Sequence, residues 1–286
     1  MNTKSEPAIT ISGITMTFGE KQVLNHIDLS IRQGEIFGLL GPSGAGKTTL
    51  IKILTGQQKA DAGYSAINGI CSDQLKGSDY RQFGIMMDNF GVYERFSCFD
   101  NLKIFAKIYH IGNEEIYKTL EQVGLKDAAK TPASRLSKGM KSRLRLARVF
   151  LINPSVLFLD EPTSGLDPAT AEEIQNLIFN ERRKGKTIFL TTHNMTEAAK
   201  LCDHVALLHE GSIVEYGEPE EICRRYNHQK RLKLHLMNGT DVELPHTNET
   251  GLRLAEYFSK GLVETIHSTE PNLETVFMEL TGKGLS

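Results

Sequence analysis

The stretch GPSGAGKTT, residues 41–49, decides how the rest of the chain is read. It fits the pattern G-x-x-x-x-G-K followed by Ser or Thr in full. It comes directly after the apolar run EIFGLLG (35–41) and before Thr48–Thr55, which reads as a helix. Strand, glycine-rich loop and helix in that order make a phosphate cradle. Glycines at 41, 44 and 46 let the backbone of Gly41, Ser43, Gly44 and Gly46 curl tightly, so that successive N–H groups point at phosphate oxygens. The helix N-terminus adds a dipole that favours anions. Lys47 supplies a point charge for β- and γ-phosphates, and Thr49 follows at the start of the helix. The Thr48 hydroxyl is placed to ligate Mg²⁺.

A phosphate loop of this type needs an acidic partner, and VLFLDE (156–161) supplies one. Four apolar residues predict a strand buried under helices. Asp160 then emerges at its C-terminal end, where α/β sheets place their ligands, and is expected to hold Mg²⁺ through a water. Glu161, one residue on, is the candidate general base toward an attacking water.

The remainder of the sequence sets bounds. At 286 residues and 40% hydrophobic content, the chain can bury a sizeable core, as one large α/β domain with a small appendage or as two modest domains. A net charge of −2 gives no strongly basic surface for nucleic acid. Cys71, Cys98, Cys202 and Cys223 are widely spaced, without a CxxC pair, which argues against structural zinc and fits a reducing compartment. No stretch approaches the roughly 20 apolar residues of a spanning helix, and MNTKSEPAIT lacks the apolar core of a secretory signal.

Residues 8–33 alternate apolar and polar around Gly19-Glu20 and predict an antiparallel layer. Ser97 and Ser137 precede helical patterns as N-caps, with Asp100 in a capping-box position. Ala169–Lys184 reads as a helix and KTIFLTTH (186–193) as a third buried strand. Strands alternating with helices predict an α/β fold with a mostly parallel sheet. The pattern changes near residue 225, and residues 231–282 read as strand, strand, helix, strand, helix.

LSKGM (136–140), VLFLDEPTSGLD (156–167) and TTH (191–193), in that order after the phosphate loop, resemble the ATP-binding subunit of an ABC transporter over about residues 8–220. The resemblance implies a P-loop ATPase core over residues 1–225 with a helical subdomain at about 89–152. Residues 226–286 are left as a small α+β appendage that regulates or dimerises. LSKGM resembles the signature LSGGQ, which covers ATP bound by the opposite subunit. Ser137 would meet the γ-phosphate and Gly139 would offer its N–H. Lys138 replaces a glycine, and either adds charge near that phosphate or points to solvent. Asp167 in SGLD would cross the subunit interface, His193 would contact the γ-phosphate and orient water and Glu161, and Phe18 would stack on adenine.

The same resemblance places FGIMMDNFGVYERFS (83–97) at the glutamine loop, with Asp88, or Asn89 if the loop shifts by one, where glutamine is usual. A carboxylate there is a hard ligand for Mg²⁺. Phe90–Phe96 would face a membrane permease. LSKGM and the tail PNLETVFMELTG (271–282) resemble ATPases of ABC-2-type exporters of drugs, peptides, lipids or polysaccharides. The implied function is ATP hydrolysis that powers export, from the cytoplasmic face of the membrane, as a homo- or heterodimer of ATPase subunits. An ABC importer ATPase is the alternative.

Overall fold

The alternating N-terminal segment forms β1 (Ile9–Phe18) and β2 (Lys21–Ile31), which pair antiparallel across the Gly19-Glu20 turn, with Phe18 opposite Lys21. The chain continues through β3 (Ile36–Leu40), α1 (Lys47–Leu54), β4 (Ala62–Ile67), β5 (Ile70–Cys71) and β6 (Phe83–Met86). Helices α2 (Cys98–Tyr109), α3 (Asn113–Gln122) and α4 (Lys138–Phe150) follow, then β7 (Val156–Asp160), α5 (Pro168–Arg183) and β8 (Thr187–Thr192). The segment α6 (Met195–Leu201), β9 (His204–His209) and β10 (Ser212–Gly217) completes the first part. This computed structural model describes residues 6–87, 92–228, 230–245 and 247–282.

Among the described residues, β6, β7, β8, β3 and β9 run parallel in adjacent positions, and β10 extends the sheet beyond β9. Every residue of β3, β7 and β8 is buried, as a central parallel strand covered on both faces requires. Phe37, Phe189, Phe158 and Phe83 form a ladder across four neighbouring strands, with ring centroids 5.2, 5.8 and 6.3 Å apart. The antiparallel sheet, in the order β2-β1-β4-β5, lies over the other side of α1 and shares one core with the parallel sheet. Leu50, Ile51, Ile53 and Leu54 of α1 are buried, each stabilising by about 2 kcal/mol. The sequence predicted β1 and β2 of this layer. It did not single out β4 and β5, which are short and carry the exposed polar stretch around Asn68.

The two serine N-caps read from the sequence are present. Ser97 accepts from the Asp100 N–H at 3.0 Å and Ser137 from the Met140 N–H at 3.2 Å. The Asp100 carboxylate accepts from the Ser97 hydroxyl at 2.6 Å. Helices α3 and α5 meet at Glu181, which is fully buried and accepts from Gln122 at 2.7 Å while pairing with Lys184 and Lys186.

The chain divides into two compact units, the first through Tyr216 and the second from Gly217. The second unit contains α7 (Pro219–Arg225), β11 (Arg231–Leu236), β12 (Asp241–Pro245), α8 (Asn248–Ser259), β13 (Val263–Ser268) and α9 (Leu273–Thr281). Its division point lies several residues before 225, because α7 packs against α9 within the second unit. Leu234, Leu236 and Leu244 form its core, while Arg231–Glu243 and Lys233–Asp241 pair across strands on the exposed face.

Candidate nucleotide site

The strand register brings the candidate residues together. Leu40 lies opposite Thr192 and Asp160 opposite Thr191, so β3, β7 and β8 end at the same level. The phosphate loop leaves β3 there, Glu161 follows Asp160, and His193 follows Thr192. Met86 of β6 ends beside Leu159. Asp88, Asn89 and the start of the Phe90–Phe96 surface fall at residues 88–91, which lie outside the described residues.

Two glycines of the loop have steric reasons. A Cβ on Gly41 would lie 2.3 Å from the Leu208 carbonyl oxygen, and one on Gly46 would lie 2.7 Å from that of Val23, where φ is also +111°. Lys47 is buried. Its ammonium donates to the Gly41 carbonyl at 2.6 Å and the Pro42 carbonyl at 3.2 Å, and pairs with Glu161 at 3.3 Å. The Thr48 hydroxyl donates to Asp160 at 2.8 Å and the Thr191 hydroxyl donates to the other Asp160 oxygen at 2.5 Å. Ser43 and Gly44 are exposed at the loop's tip and Thr49 is half-buried.

Glu161 occupies the left-handed region at φ +49°, a conformation costing about 1 kcal/mol or more for a residue with a side chain. Its N–H donates to the Thr191 carbonyl and hydroxyl at 3.1 and 3.2 Å, which holds it there. One carboxylate oxygen faces Lys47 and the other is 2.8 Å from His193 Nδ1. His193 is half exposed, open to a ligand on its far side. Phe18 is 51% exposed, so its ring is surface and free to stack, not core.

The segments LSKGM and SGLD, distant in sequence, are in contact. The Lys138 ammonium donates to the Gly165 carbonyl at 2.7 Å, an outcome that neither sequence reading of Lys138 anticipated. Gly139 is packed so closely that a Cβ would stand 2.4 Å from Thr170 Cγ2. Thr170 is held by Asp167, which caps α5 by accepting from its N–H at 3.0 Å and its hydroxyl at 2.7 Å. Those bonds hold the Asp167 carboxyl below the ordinary range. Ser137 remains exposed beside them.

Sequence reading missed Glu197. It is 4% exposed, accepts from the Thr163 hydroxyl at 2.6 Å, and lies 3.5 Å from the Thr192 hydroxyl, so it joins the loops that follow Glu161 and precede His193. Nothing marks such a residue along the chain, because its partners are 34 and 5 positions away. Together with Glu161, His193, Gln175 and Lys200 it lines a cleft of about 430 Å³. Burial pushes its carboxyl above the ordinary range, and the Glu161 charge adds to this. The folded state therefore holds a proton that the unfolded chain releases. Any stability tied to that proton is complete below the ordinary carboxylate pKa and is lost as pH rises toward the raised one. Glu197→Gln should flatten this decline, so its unfolding midpoint gains on the wild type as pH rises. Parallel midpoint-versus-pH curves for the two proteins would show that Glu197 does not titrate differently on folding.

The model of the ABC transporter family matches residues 24–164. A fluoroquinolones export ATP-binding protein of Mycobacterium tuberculosis is 36% identical over 284 residues, covering 97% of this chain and 94% of that protein. A lantibiotic transport ATP-binding protein of Streptococcus pyogenes is 32% identical over 77% of this chain and 96% of its own length. The solved structure of cbiO1 from Clostridium perfringens, part of the ABC transporter complex cbiONQ, superposes with a TM-score of 0.70 at 26% identity, over 76% of this chain and 91% of that one. With that extent of identity, this chain belongs to the ABC transporter family as an ATP-binding, ATP-hydrolysing subunit.

Proposed function

We propose that the chain hydrolyses ATP to power export of a drug-like, peptide, lipid or polysaccharide substrate through a separate membrane permease. The observation that carries the chemistry is the meeting of Lys47, Thr48, Asp160, Glu161 and His193 at the ends of three adjacent strands. Export, in preference to import, is supported by relatives named for export of fluoroquinolones and of Nod factor. Among the described residues no helix is long and apolar enough to cross a membrane. The subunit would work peripherally, on the cytoplasmic face.

The contacts of Lys47 and Glu161 indicate how the site would engage ATP. Lys47 turns back on its own loop carbonyls and on Glu161. The β- and γ-phosphates would replace those partners, since a charged phosphate is a stronger acceptor than a neutral carbonyl. Glu161 would then lose its cation and become free to take a proton from water, with His193 holding its other oxygen. Thr48 and Asp160 offer a hydroxyl and a carboxylate side by side, the hard oxygen donors that Mg²⁺ prefers. Mg²⁺ bound there would neutralise charge on the phosphates. Phe18 would stack on adenine. Ser137, Gly139 and Asp167 would face the nucleotide and site of a second ATPase subunit, identical or related. On this reading Glu161→Gln lowers turnover on the order of 10²–10⁴-fold while ATP still binds, and Lys47→Ala weakens ATP binding on the order of 10–100-fold. Equal turnover in Glu161→Gln and wild type would remove Glu161 as the base.

Asp88 is proposed as a further carboxylate toward Mg²⁺, on sequence position alone. Asp88→Gln should then change the Mg²⁺ concentration that half-saturates ATPase activity, measured with the permease present. An unchanged Mg²⁺ curve and turnover would take Asp88 out of the mechanism.

The permease would dock on the surface that begins near residue 90. Tyr93 and Phe96 are exposed, with ring centroids 5.7 Å apart. Beside them Phe83, Met87, Tyr93, Phe105 and Tyr109 line a groove of about 560 Å³ between the parallel sheet and the helical subdomain. A groove of that apolar character suits a short amphipathic helix. Tyr93→Asp with Phe105→Ser should abolish co-purification of the permease from solubilised membranes, whereas retention at wild-type yield would place the docking surface elsewhere.

A further inference from the structure

The bond between Lys138 and Gly165 has no counterpart in a signature that carries glycine at position 138, because it needs the ammonium itself. Lys138 opens α4, whose first turn holds no acidic residue. A cation at a helix N-terminus is disfavoured by the dipole, by about 0.3–1 kcal/mol at a surface. The helix dipole therefore gives no reason for a lysine here. What the side chain does is reach across to the turn 164–167. That turn depends on a left-handed glycine, Gly165 at φ +64°, and a Cβ added there would lie 2.2 Å from the Lys138 nitrogen. The next contacts close a ring. Asp167, at the end of the same turn, holds Thr170, and Thr170 packs on Gly139, the neighbour of Lys138.

We propose that Lys138 is a positioning residue that locks the turn 164–167 to the N-terminus of α4. Ser137 and Asp167 then meet the opposite subunit as one prearranged surface, with Gly139 packed beneath it on Thr170. This rests on the reading above that this surface faces a second ATPase subunit. Two segments that would otherwise order separately on dimerisation are ordered before it, which lowers the entropy cost of closing the composite site. A tether of this kind acts on the closed, hydrolysing assembly and leaves the phosphate loop's own hold on ATP untouched.

The test uses the full chain. Backbone amide exchange over residues 164–167, measured without nucleotide, should quicken about 3–10-fold in Lys138→Met and stay near wild type in Lys138→Arg, which keeps a donor. In the same proteins assembled with the permease, Lys138→Met should lower kcat about 3–10-fold with ATP affinity of the single chain unchanged, and Lys138→Arg should restore it. Gly165→Ala should give a similar loss, and the double variant Lys138→Met, Gly165→Ala should lose no more than the worse single one. Unchanged exchange in Lys138→Met overturns the tether. Faster exchange with unchanged kcat overturns its role in positioning. Losses that multiply in the double variant also overturn it, since Lys138 would then act on something other than Gly165, such as the opposite phosphate. The exchange measurement needs no ATP turnover, so failure of the tether is distinguishable from failure of the ATPase reading.

Discussion

The carboxylate of Asp160 is the fixed point of this site. It is 2% exposed, at the end of β7, and each of its oxygens accepts a hydroxyl from a different neighbour, Thr48 in the phosphate loop and Thr191 at the end of β8. A buried charge is tolerated only when it is well hydrogen-bonded, and leaving it without partners would cost several kcal/mol. The three segments that carry Lys47, Glu161 and His193 are thus held to one another by the need to satisfy Asp160. The in-register strands set their level, and the carboxylate fixes their spacing.

Glu161 shows what that fixation allows. One residue after the anchored Asp160 the backbone turns into the left-handed region, which a glutamate adopts only when neighbours hold it. The Thr191 carbonyl and hydroxyl do so, and the same Thr191 hydroxyl serves Asp160. The turn aims the Glu161 side chain between Lys47 and His193. Strain is thus placed at the residue proposed to move a proton, and the cost is offset by a threonine shared with the anchor. Glu197 performs a similar service one layer deeper, through Thr163 and Thr192.

Much of this was legible in the sequence because the chemistry is local. Gly41, Gly46 and Lys47 lie within seven consecutive positions, and VLFLDE declares both its strand and its carboxylates. Caps such as Ser97 and Ser137 were readable because the bond they make spans three residues. What was not legible is long-range. Thr191 reads as one more strand residue until it is seen beside Asp160, 31 positions away, and Lys138 as a charge for the opposite phosphate or a solvated lysine until Gly165 is found 27 positions away. Short strands such as β5, at two residues, fall below any periodic signal.

The charges at the helix starts make the same point from another side. Helices normally begin with acidic residues, because the N-terminal dipole favours them. Here α1 and α4 each begin with a lysine and have no acid in the first turn, whereas α2, α3 and α6 have acids there. Helix α5 also lacks an acid in its first turn, but the carboxylate of Asp167 caps it, so the two helices that open on a cation are those that begin within the phosphate loop motif and LSKGM. A local preference reversed at two such places points to a role for those lysines other than helix stability. A lysine at a helix N-terminus adds to the dipole's positive field instead of cancelling it. At α1 that field becomes favourable once a polyphosphate lies against it, whereas at α4 the ammonium is held by the Gly165 carbonyl. Helix-terminus stability is given up at α1 for the proposed nucleotide and at α4 for the bond to the turn 164–167.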